Sequence, residues 1–508
     1  MLELKEITIR LKKDGRALAE DFSFTLGKGD KAVLIGEEGN GKSSLLKYIY
    51  DPSLVEDYCE CSGRVAARGR VAYLPQFMEP ELRSLTLAEF FDGTEYYLHT
   101  DTLRSLGLRP EFLFDSRKLG DLSGGERVKV QLMRLMMDEP DVLLLDEPTN
   151  DLDLESLRSL EWFLRETKKP VLYISHDETL IENTANVIIH MEQLIRKTRC
   201  RITVTREDYR SYLSRRRTGF DHQAQVAQKQ RDDHEKQMRR WQQIYRRVEH
   251  EQNSISRQDP GGGRLLKKKM HAVLSTGKRL ERETEDFLEF PEEEEAIITR
   301  FDPAVSIPAG KTVLDFSRSV LSVGERALAR DVKLFTAGPR AVGITGRNGA
   351  GKSTLLRALW EELRQRRDLK AAYMPQDYAE VLDYASTPLE HLEAVYAKET
   401  LTRARSLLGS MRFTHEEMTG RIGALSGGQR AKLLFLDMVL QEANVLLLDE
   451  PTRNFSPLSA PVVRRALRDF GGAVVSVSHD RKYLSEVCDV VLELRPDGLH
   501  PFDLQEEQ

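Results

Sequence analysis

The sequence has few cysteines and no long apolar run. Its 508 residues include only Cys59, Cys61, Cys200 and Cys488, which form neither a paired disulfide framework nor a CxxC zinc pattern. No apolar run reaches the roughly 18 residues that would span a bilayer. These absences exclude a disulfide-stabilised scaffold and a membrane domain, and they predict a soluble chain of the reducing cytoplasm.

The charge of the chain is dominated by neither sign. It has 76 basic and 82 acidic residues, for a net charge of −6, which argues against a uniformly basic nucleic-acid coat. A net value can still hide a local patch. Since 40% of the residues are apolar, the chain can bury sizeable cores, and its length predicts about three domains.

One series of motifs occurs twice in the same order. The phosphate-loop pattern GxxxxGK[ST] fits Gly36 to Ser43 and again Gly346 to Ser353. An LSGG sequence, an apolar run ending in Asp-Glu and a Ser-His-Asp sequence follow each loop. From Ser123, Asp146 and His176 to their counterparts, the offset is 303 residues each time. The chain is therefore a tandem duplication with an insert between the copies.

Each copy alternates short apolar runs with helical segments. Strands at Lys31 to Ile35 and Ala341 to Ile344 lead into the Gly-rich loops, and helices follow from Ser44 and Thr354. Four further runs are typical of parallel strands buried on both faces: 142–145, 171–174, 445–448 and 473–477. The fold class is therefore α/β with two tandem P-loop domains, and the predicted domains are residues 1–205, 206–304 and 305–508.

The Gly-rich loops have the chemistry of phosphate cradles. Their glycines let backbone N–H groups approach phosphate oxygens, and the following helix N-terminus adds positive potential. Lys42 and Lys352 would reach the β and γ phosphates, while Ser43 and Ser353 would bind Mg²⁺. The alternative is a Gly-rich turn that carries Lys-Ser by chance, which two matches with companion motifs disfavour. The other cofactor-binding residues predicted here are Gly36, Gly39, Gly41, Ser44, Gly346, Gly349, Gly351 and Thr354.

Two adjacent carboxylates end a strand in each copy. Asp146 and Asp449 would hold the Mg²⁺ shell beside the phosphate loop. Glu147 and Glu450 follow directly and could polarise the attacking water as general bases. Without the phosphate loops, a strand-ending Asp-Glu would more often cap the next helix.

In this order, the motifs resemble the ATP-binding cassette superfamily, over about residues 1–200 and 305–500. The resemblance implies two cassettes facing head to tail, with the LSGG signature of one closing ATP against the phosphate loop of the other. It implies that Ser426, Gly427 and Gly428 complete the site of Lys42, and that Ser123, Gly124 and Gly125 complete the site of Lys352. It assigns Gln76 and Gln376 to Mg²⁺ and the attacking water. His176 and His479 would contact the γ-phosphate, although a strand-end histidine is otherwise usually structural.

The two copies depart from each other at two loops. The first phosphate loop carries Glu37 and Glu38 where the second has Arg347 and Asn348, so we hypothesise weaker nucleotide binding at the first site. The loop after the first catalytic glutamate reads Asn-Asp-Leu-Asp, residues 150–153, whereas its counterpart at 453–457 contains no Asp. These departures predict two unequal sites.

The insert between the copies is basic. Ser214 to Arg282 contains 18 basic and 8 acidic residues, so this segment is +10 and the rest of the chain is −16. Thr218 to Asn253 predicts a long helix, with apolar residues at heptad spacing, and Asp259 to Gly263 predicts the break before a second helix. The expectation is an antiparallel hairpin of two helices of about 25 to 35 residues. Its tip carries the residues expected to contact RNA phosphates, Arg257, Arg264, Lys267, Lys268 and Lys269. The alternative is a solvated helical spacer.

Two cassettes in one chain with a charged helical insert resemble the ABC-F family. That resemblance implies ATP and Mg²⁺ as cofactors and the ribosome as partner, bound at the tRNA exit site. The hairpin would point toward the peptidyl-transferase centre and P-site tRNA, in a translation factor or an antibiotic-resistance protein that protects the ribosome. We expect a monomer with intramolecular cassette pairing and no DNA partner. The alternatives are the ATPase subunit of a membrane transporter and a DNA-maintenance cassette, which usually carries zinc pairs or far longer coiled coils.

Overall fold

The computed structural model describes residues 1–194, 199–254, 260–283, 301, 305–396 and 398–504. The chain divides into two compact units. One combines Met1–Tyr209 with Glu294–Gln508, and the other is Arg210–Glu293. Both copies of the motif series therefore lie in the first unit, and the second unit consists of the basic insert.

The first copy is built on a mostly parallel sheet flanked by helices. Its strands are β1 (Leu2–Leu11), β2 (Ala17–Leu26), β3 (Lys31–Ile35), β4 (Cys59–Ala67), β5 (Val71–Leu74), β6 (Val142–Asp146), β7 (Val171–Ile174), β8 (Val187–Leu194) and β9 (Arg199–Thr205). Its helices are α1 (Lys42–Tyr50), α2 (Leu87–Phe90), α3 (Thr100–Ser105), α4 (Gly124–Met137), α5 (Leu154–Glu166) and α6 (Glu178–Thr184). Among the described residues, the main sheet has the order β5-β6-β7-β3-β8-β9, with only β9 antiparallel, and β2-β1-β4 forms a separate antiparallel sheet.

The insert supplies two long helices, α7 (Tyr209–Ser254) and α8 (Pro260–Glu283). The second copy repeats the main sheet of the first. Its strands are β10 (Thr312–Val323), β11 (Arg326–Ala337), β12 (Ala341–Thr345), β13 (Ala371–Met374), β14 (Val445–Asp449), β15 (Ala473–Val477), β16 (Val490–Arg495) and β17 (Gly498–Pro501). Its helices are α9 (Lys352–Leu363), α10 (Pro388–Val395), α11 (Lys398–Ser410), α12 (His415–Thr419), α13 (Gly427–Leu440), α14 (Ala460–Arg468) and α15 (Arg481–Val487). Over the described ranges, the order β13-β14-β15-β12-β16-β17 matches that of the first copy, strand for strand.

The strand order explains why the motifs meet. In the first copy, β3, β6 and β7 are parallel neighbours, so their carboxyl ends lie at one edge of the sheet. The phosphate loop follows β3, Asp146 ends β6, and the Ser-His-Asp sequence follows β7. The equivalent strands β12, β14 and β15 do the same in the second copy. Ligand sites of open α/β sheets lie at such edges. The α/β prediction is therefore confirmed for both copies.

The α7 and α8 helices pack antiparallel to each other. Trp241 donates its indole N–H to the carbonyl oxygen of Val273 at 2.8 Å, and the His234 ring lies 3.0 Å from the carbonyl oxygen of Leu280. A Cβ at Gly277 would lie 2.7 Å from the Trp241 ring, so glycine permits this close approach. The contacts run in opposite directions along the two helices, as the predicted antiparallel hairpin requires.

The predicted bounds of these helices were partly wrong. α7 spans 46 residues, longer than the 25 to 35 expected, and α8 spans 24. The glycines at 261–263 were predicted to break the chain between helices but lie inside the first turn of α8. Proline has no backbone N–H, and it fits the first turn of a helix because an N–H there would have no intrahelical acceptor, so Pro260 can start α8. Asp259 and Arg257 lie outside the described residues. Within the part of the chain that the structure describes, no helix is long and apolar enough to cross a bilayer.

Candidate nucleotide sites

Each phosphate loop wraps around its own lysine. Gly41 and Gly351, with φ of 91° and 100°, precede α1 and α9 in the left-handed region that glycine tolerates. The buried Lys42 ammonium donates to the carbonyl oxygen of Gly36 at 2.8 Å, and Lys352 donates to Gly346 at 2.8 Å. The remaining predicted cradle residues lie in the same loops and first helical turns: Gly39, Ser43, Ser44, Gly349, Ser353 and Thr354. A closed Gly-rich loop at a helix N-terminus is suited to bind phosphate.

A serine hydroxyl and an aspartate carboxylate lie next to each other beside each phosphate loop. The Ser43 hydroxyl donates to Asp146 Oδ1 at 2.9 Å, and the Tyr73 hydroxyl donates to Asp146 Oδ2 at 3.1 Å. Burial raises the pKa of Asp146 to about 6 against these hydrogen bonds. Burial likewise raises the pKa of Asp449, and a hydrogen bond from Ser353 opposes the rise. Hydroxyl and carboxylate oxygens are the ligands that Mg²⁺ prefers, so the donor set fits that ion.

Glu147 is held by three side chains of the first cassette. Gln76 and Asn150 donate their amide N–H groups to Glu147 Oε2 at 2.9 and 2.7 Å, and His176 Nε2 lies 3.2 Å from Oε1. Burial alone would raise the pKa of Glu147, but the charge and hydrogen bond of His176 lower it to about 2. The other ring nitrogen of His176 lies 2.9 Å from the carbonyl oxygen of Phe455, in the second cassette. Glu147 is therefore an ionised, fixed carboxylate.

Glu450 occupies the same position in the second cassette with fewer partners. Among the described residues, its Oε1 has no hydrogen-bond partner, and neither has either ring nitrogen of His479. His479 Nε2 lies 4.0 Å from Glu450 Oε1, too far for a hydrogen bond. Burial and the charge of Asp449 raise the pKa of Glu450, while burial and the charge of Lys352 lower the pKa of His479 to about 3.

Both glutamates have a positive φ, a backbone conformation that residues other than glycine rarely adopt. The φ of Glu147 is 49° and that of Glu450 is 52°. Such strain clusters at functional sites, where the surrounding structure holds it in place. Gln376 lies in the pocket that Lys352, Asp449 and Glu450 line. The structure thus brings together the residues that the motifs predict for each site.

The phosphate loop of Lys42 contacts the signature of the second cassette. The Gly428 backbone N–H donates to Glu38 Oε2 at 2.5 Å. Glu37 accepts hydrogen bonds from the hydroxyls of Ser456, at 3.1 Å, and Ser459. Gly428 is thus placed beside the loop that the resemblance assigns to it. Ser426 and Gly427 lie at the same N-terminus of α13.

The phosphate loop of Lys352 contacts the first cassette through a different set of residues. The Asn348 side-chain amide donates to the carbonyl oxygen of Asp151 at 2.5 Å, and Arg347 lies 3.3 Å from Glu155 Oε2. Ser123 caps α4, which Gly124 and Gly125 begin. A Cβ at Gly124 would lie 2.3 Å from the carbonyl oxygen of Asp151, so this signature packs on the loop that Asn348 contacts.

Sequence reasoning did not predict three of the contacts at these sites. Tyr73 binds Asp146, Asn150 binds Glu147, and Glu38 binds the signature. One signal for Tyr73 was available, because the Tyr-x-Pro-Gln sequence ending at Gln76 recurs with Tyr373. The role of Glu38 had no such signal, since its partner lies 390 residues away.

Four of the five predicted RNA-contacting residues lie along α8. Arg264, Lys267 and Lys268 are exposed and line one shallow surface with His271. Lys269 is exposed as well. Arg257 lies outside the described residues.

Known proteins share this organisation over most of the chain. The family described as ABC transporter matches residues 19–150 and 329–453. The Escherichia coli (strain CFT073) protein named probable ATP-binding protein YheS is 28% identical over 98% of this chain and 79% of its own length. The Escherichia coli (strain K12) energy-dependent translational throttle protein EttA is 26% identical over 95% of this chain and 90% of its own. ABC transporter F family member 2 of Arabidopsis thaliana is 27% identical over 96% and 75%.

A solved structure has the same fold. It is that of the complex of archaeal ribosomal stalk protein aP1 and archaeal ribosome recycling factor aABCE1. The match has a TM-score of 0.60 and 16% identity, and covers 98% of this chain and 90% of that chain. At this identity the match supports the tandem-cassette fold alone. The family match over both copies, together with these relatives, shows that the chain is an ATP-hydrolysing member of the ATP-binding cassette family, in its ABC-F group.

Proposed function

We propose that this ATPase acts on the ribosome. It would bind at the tRNA exit site and direct the α7–α8 pair toward P-site tRNA and the peptidyl-transferase centre. It would work as a translation factor or as an antibiotic-resistance factor that protects the ribosome. The observation that carries the proposal is the exposed basic row on α8, in a chain that otherwise carries net negative charge. The name of its relative EttA, a translational throttle, supports the same process.

The proposed ATP cycle follows from the site geometry. Lys42 and Lys352 bind the β and γ phosphates, and the Ser43–Asp146 and Ser353–Asp449 pairs hold the ion. Bound Mg²⁺ neutralises charge on the phosphate oxygens. The signature of each cassette completes the site of the other, so ATP holds the cassettes together and its hydrolysis releases the ribosome.

The glutamates would activate the water in this cycle. Glu147 and Glu450 accept a proton from the attacking water as it approaches the γ-phosphate. Gln76 orients the Glu147 carboxylate through its 2.9 Å hydrogen bond, and Gln376 is the corresponding residue of the second site. His176 fixes the other oxygen of Glu147, and the resemblance assigns both His176 and His479 a contact with the γ-phosphate.

The basic row on α8 would contact phosphates of structured RNA. Arg264, Lys267 and Lys268 are exposed and form no ion pair with an acidic side chain among the described residues, and Lys269 extends the charge. Exposed Arg and Lys side chains bind phosphate regardless of sequence, and RNA helices are recognised chiefly by shape and backbone. Arg257 belongs to the same proposal as the residue expected at the hairpin tip.

Ribosome co-sedimentation tests the proposal. In a Glu147→Gln/Glu450→Gln chain, ATP binds but is not hydrolysed, so we expect the protein to pellet with ribosomes in ATP and to stay in the supernatant in ADP. Adding Arg264→Gln, Lys267→Gln and Lys268→Gln should remove most of the pelleted fraction. The matched control neutralises three exposed arginines of α7, Arg240, Arg246 and Arg247, and should change it less. A chain that never pellets with ribosomes contradicts the proposal.

The alternative is the ATPase subunit of a membrane transporter. It predicts that the same Glu147→Gln/Glu450→Gln chain accumulates with membranes in ATP and not with ribosomes. It gives the basic row on α8 no role, so the three-glutamine variant would leave membrane association unchanged. The two outcomes are exclusive in a single fractionation.

A further inference from the structure

The cassettes meet through buried ion pairs that are separate from the phosphate loops. Arg464 on α14 lies 2.5 Å from Glu178 on α6, and these side chains are only 3% and 4% exposed. Arg481 on α15 lies 2.9 Å from Glu161 on α5, with 18% and 13% exposed. Lys482 adds a contact of 3.3 Å to Glu178. In every one of these pairs the first cassette supplies the acid and the second supplies the base.

The two pairs are equivalents of each other in the duplicated sequence. The offset between the copies is 303 residues both at Asp146 and Asp449, which precede α5 and α14, and at His176 and His479, which precede α6 and α15. The same offset relates Glu161 to Arg464 and Glu178 to Arg481. One contact therefore occurs twice, and duplication has left acids at both positions of the first cassette and arginines at both positions of the second.

The contacts of the phosphate loops show the same division of charge, with acids on the first cassette. Arg347 of the second cassette faces Glu155 of the first at 3.3 Å, but these side chains are 80% and 70% exposed, so solvent weakens their attraction. Glu37 of the first cassette meets the hydroxyls of Ser456 and Ser459. By the duplication, Ser456 corresponds to Asp153, so a copy of the first cassette in this place would set an aspartate against Glu37.

We propose that these charges act as a pairing code: they allow the first cassette to pair with the second, and they prevent either cassette from pairing with a copy of itself. In a pair of first cassettes, Glu161 would face Glu178 at both contacts. In a pair of second cassettes, Arg464 would face Arg481 at both. Burying like charges without a counter-ion is strongly unfavourable, and such repulsion is an effective source of partner specificity. The partner that fits each surface is therefore the other cassette, irrespective of what the assembled chain binds.

Two full-length variants with converted charges test the code. A Glu161→Arg/Glu178→Arg chain has bases on both cassettes, and an Arg464→Glu/Arg481→Glu chain has acids on both. Each should lose its internal pairing, whereas an equimolar mixture should form a 1:1 dimer by light scattering, because each chain then supplies what the other lacks. The wild-type chain should show no such dimer with either variant at the same concentration.

A chain that combines all four substitutions still tests the proposal if either double variant fails to fold. It restores both pairs with reversed charges and should be monomeric, with most of the wild-type ATPase activity. Full recovery is not expected, because Arg464 also contacts Glu486 and Arg481 lies 3.6 Å from Asp177.

Matched controls convert exposed charges that pair within the second cassette. Glu361→Arg/Glu393→Arg and Arg364→Glu/Arg405→Glu change the net charge by the same amounts. Their mixture should stay monomeric. The proposal is overturned if the control mixture dimerises equally, if the interface mixture does not dimerise, or if the four-substitution chain is no better paired than the double variants.

Discussion

The two ATP sites are built from the same residue types, yet their catalytic glutamates are held differently. Glu147 has hydrogen bonds from Gln76 and Asn150 and an ion pair with His176. At the second site, Arg453 replaces Asn150, and Glu450 keeps one oxygen without a partner among the described residues. Part of the difference lies in the loop after each glutamate and part in the histidine after the next strand, so the two copies keep the same residue types at the site and differ in its hydrogen bonding.

The phosphate loops differ in the same way. At the first site, the Glu38 carboxylate binds the Gly428 backbone N–H, the signature group that the resemblance assigns to ATP. At the second site, Asn348 binds the first cassette through its amide instead. A carboxylate on that amide competes with the γ-phosphate, which gives a physical basis for weaker nucleotide binding at the first site. That hypothesis and the roles of the individual residues stay predictions.

The largest expected effect is the loss of both general bases. Glu147→Gln/Glu450→Gln should lower the steady-state ATPase rate by about 100-fold or more, the usual range for removing general-base catalysis. Each single substitution should leave the turnover of the other site, and the two residual rates should differ. Phosphate release measures all three rates, and equal rates in the two single variants would contradict unequal sites.

The second-largest effect should be a difference in ATP affinity between the two sites. A Lys352→Ala chain keeps the first site and a Lys42→Ala chain keeps the second. We expect the former to bind ATP about 10-fold more weakly, which corresponds to about 1.4 kcal/mol, because Glu37 and Glu38 repel the phosphates. Equilibrium dialysis measures both affinities. Equal values for the two chains would end this hypothesis.

Removing the Glu38 charge should then narrow that gap. In the Lys352→Ala chain, Glu38→Gln should raise ATP affinity by about 5-fold, close to 1 kcal/mol, since a neutral amide no longer repels the γ-phosphate. The control is Asn348→Ala in the Lys42→Ala chain, which removes the equivalent side chain without changing the charge and should leave affinity nearly unchanged. The interpretation fails if both substitutions shift affinity alike.

The smallest effect should come from the tyrosines that precede each glutamine. Tyr73 donates a hydrogen bond to Asp146, whereas the hydroxyl of Tyr373 interacts with Arg357. Tyr73→Phe should therefore raise the Mg²⁺ concentration needed for half-maximal ATPase activity by only about 2-fold, since the Tyr73 hydroxyl helps to orient the Asp146 carboxylate and Ser43 still holds its other oxygen. Tyr373→Phe should leave it unchanged, and a shift of equal size would show that the bond to Asp146 is unimportant.

Much of the fold could be predicted because its signals are local. The strand at Lys31–Ile35 was predicted residue for residue, since a short apolar run before a Gly-rich loop admits few other structures. The start of α7 was not, because Gly219 favours a helix that begins near Thr218, whereas α7 begins at Tyr209; its end, predicted at Asn253, lies one residue from the observed Ser254. The glycines at 261–263 were wrongly predicted to lie between the helices for a related reason. Intrinsic helix propensity is a weak signal, and tertiary packing can override it.

The sequence by itself determined the duplication and the α/β class, and it predicted the phosphate-loop, carboxylate and histidine residues that the fold then places together in each cassette. These follow from fixed spacings within one cassette. Only the tertiary structure decided that Glu38 binds Gly428, that His176 reaches Phe455 and that Glu178 is buried against Arg464. Each of these contacts joins residues of different cassettes, and a buried polar group takes whichever partner the packing brings within about 3 Å. The diverged loops predict unequal sites, but local patterns carry no record of which groups meet across the cassettes, so these contacts emerge only from the packing.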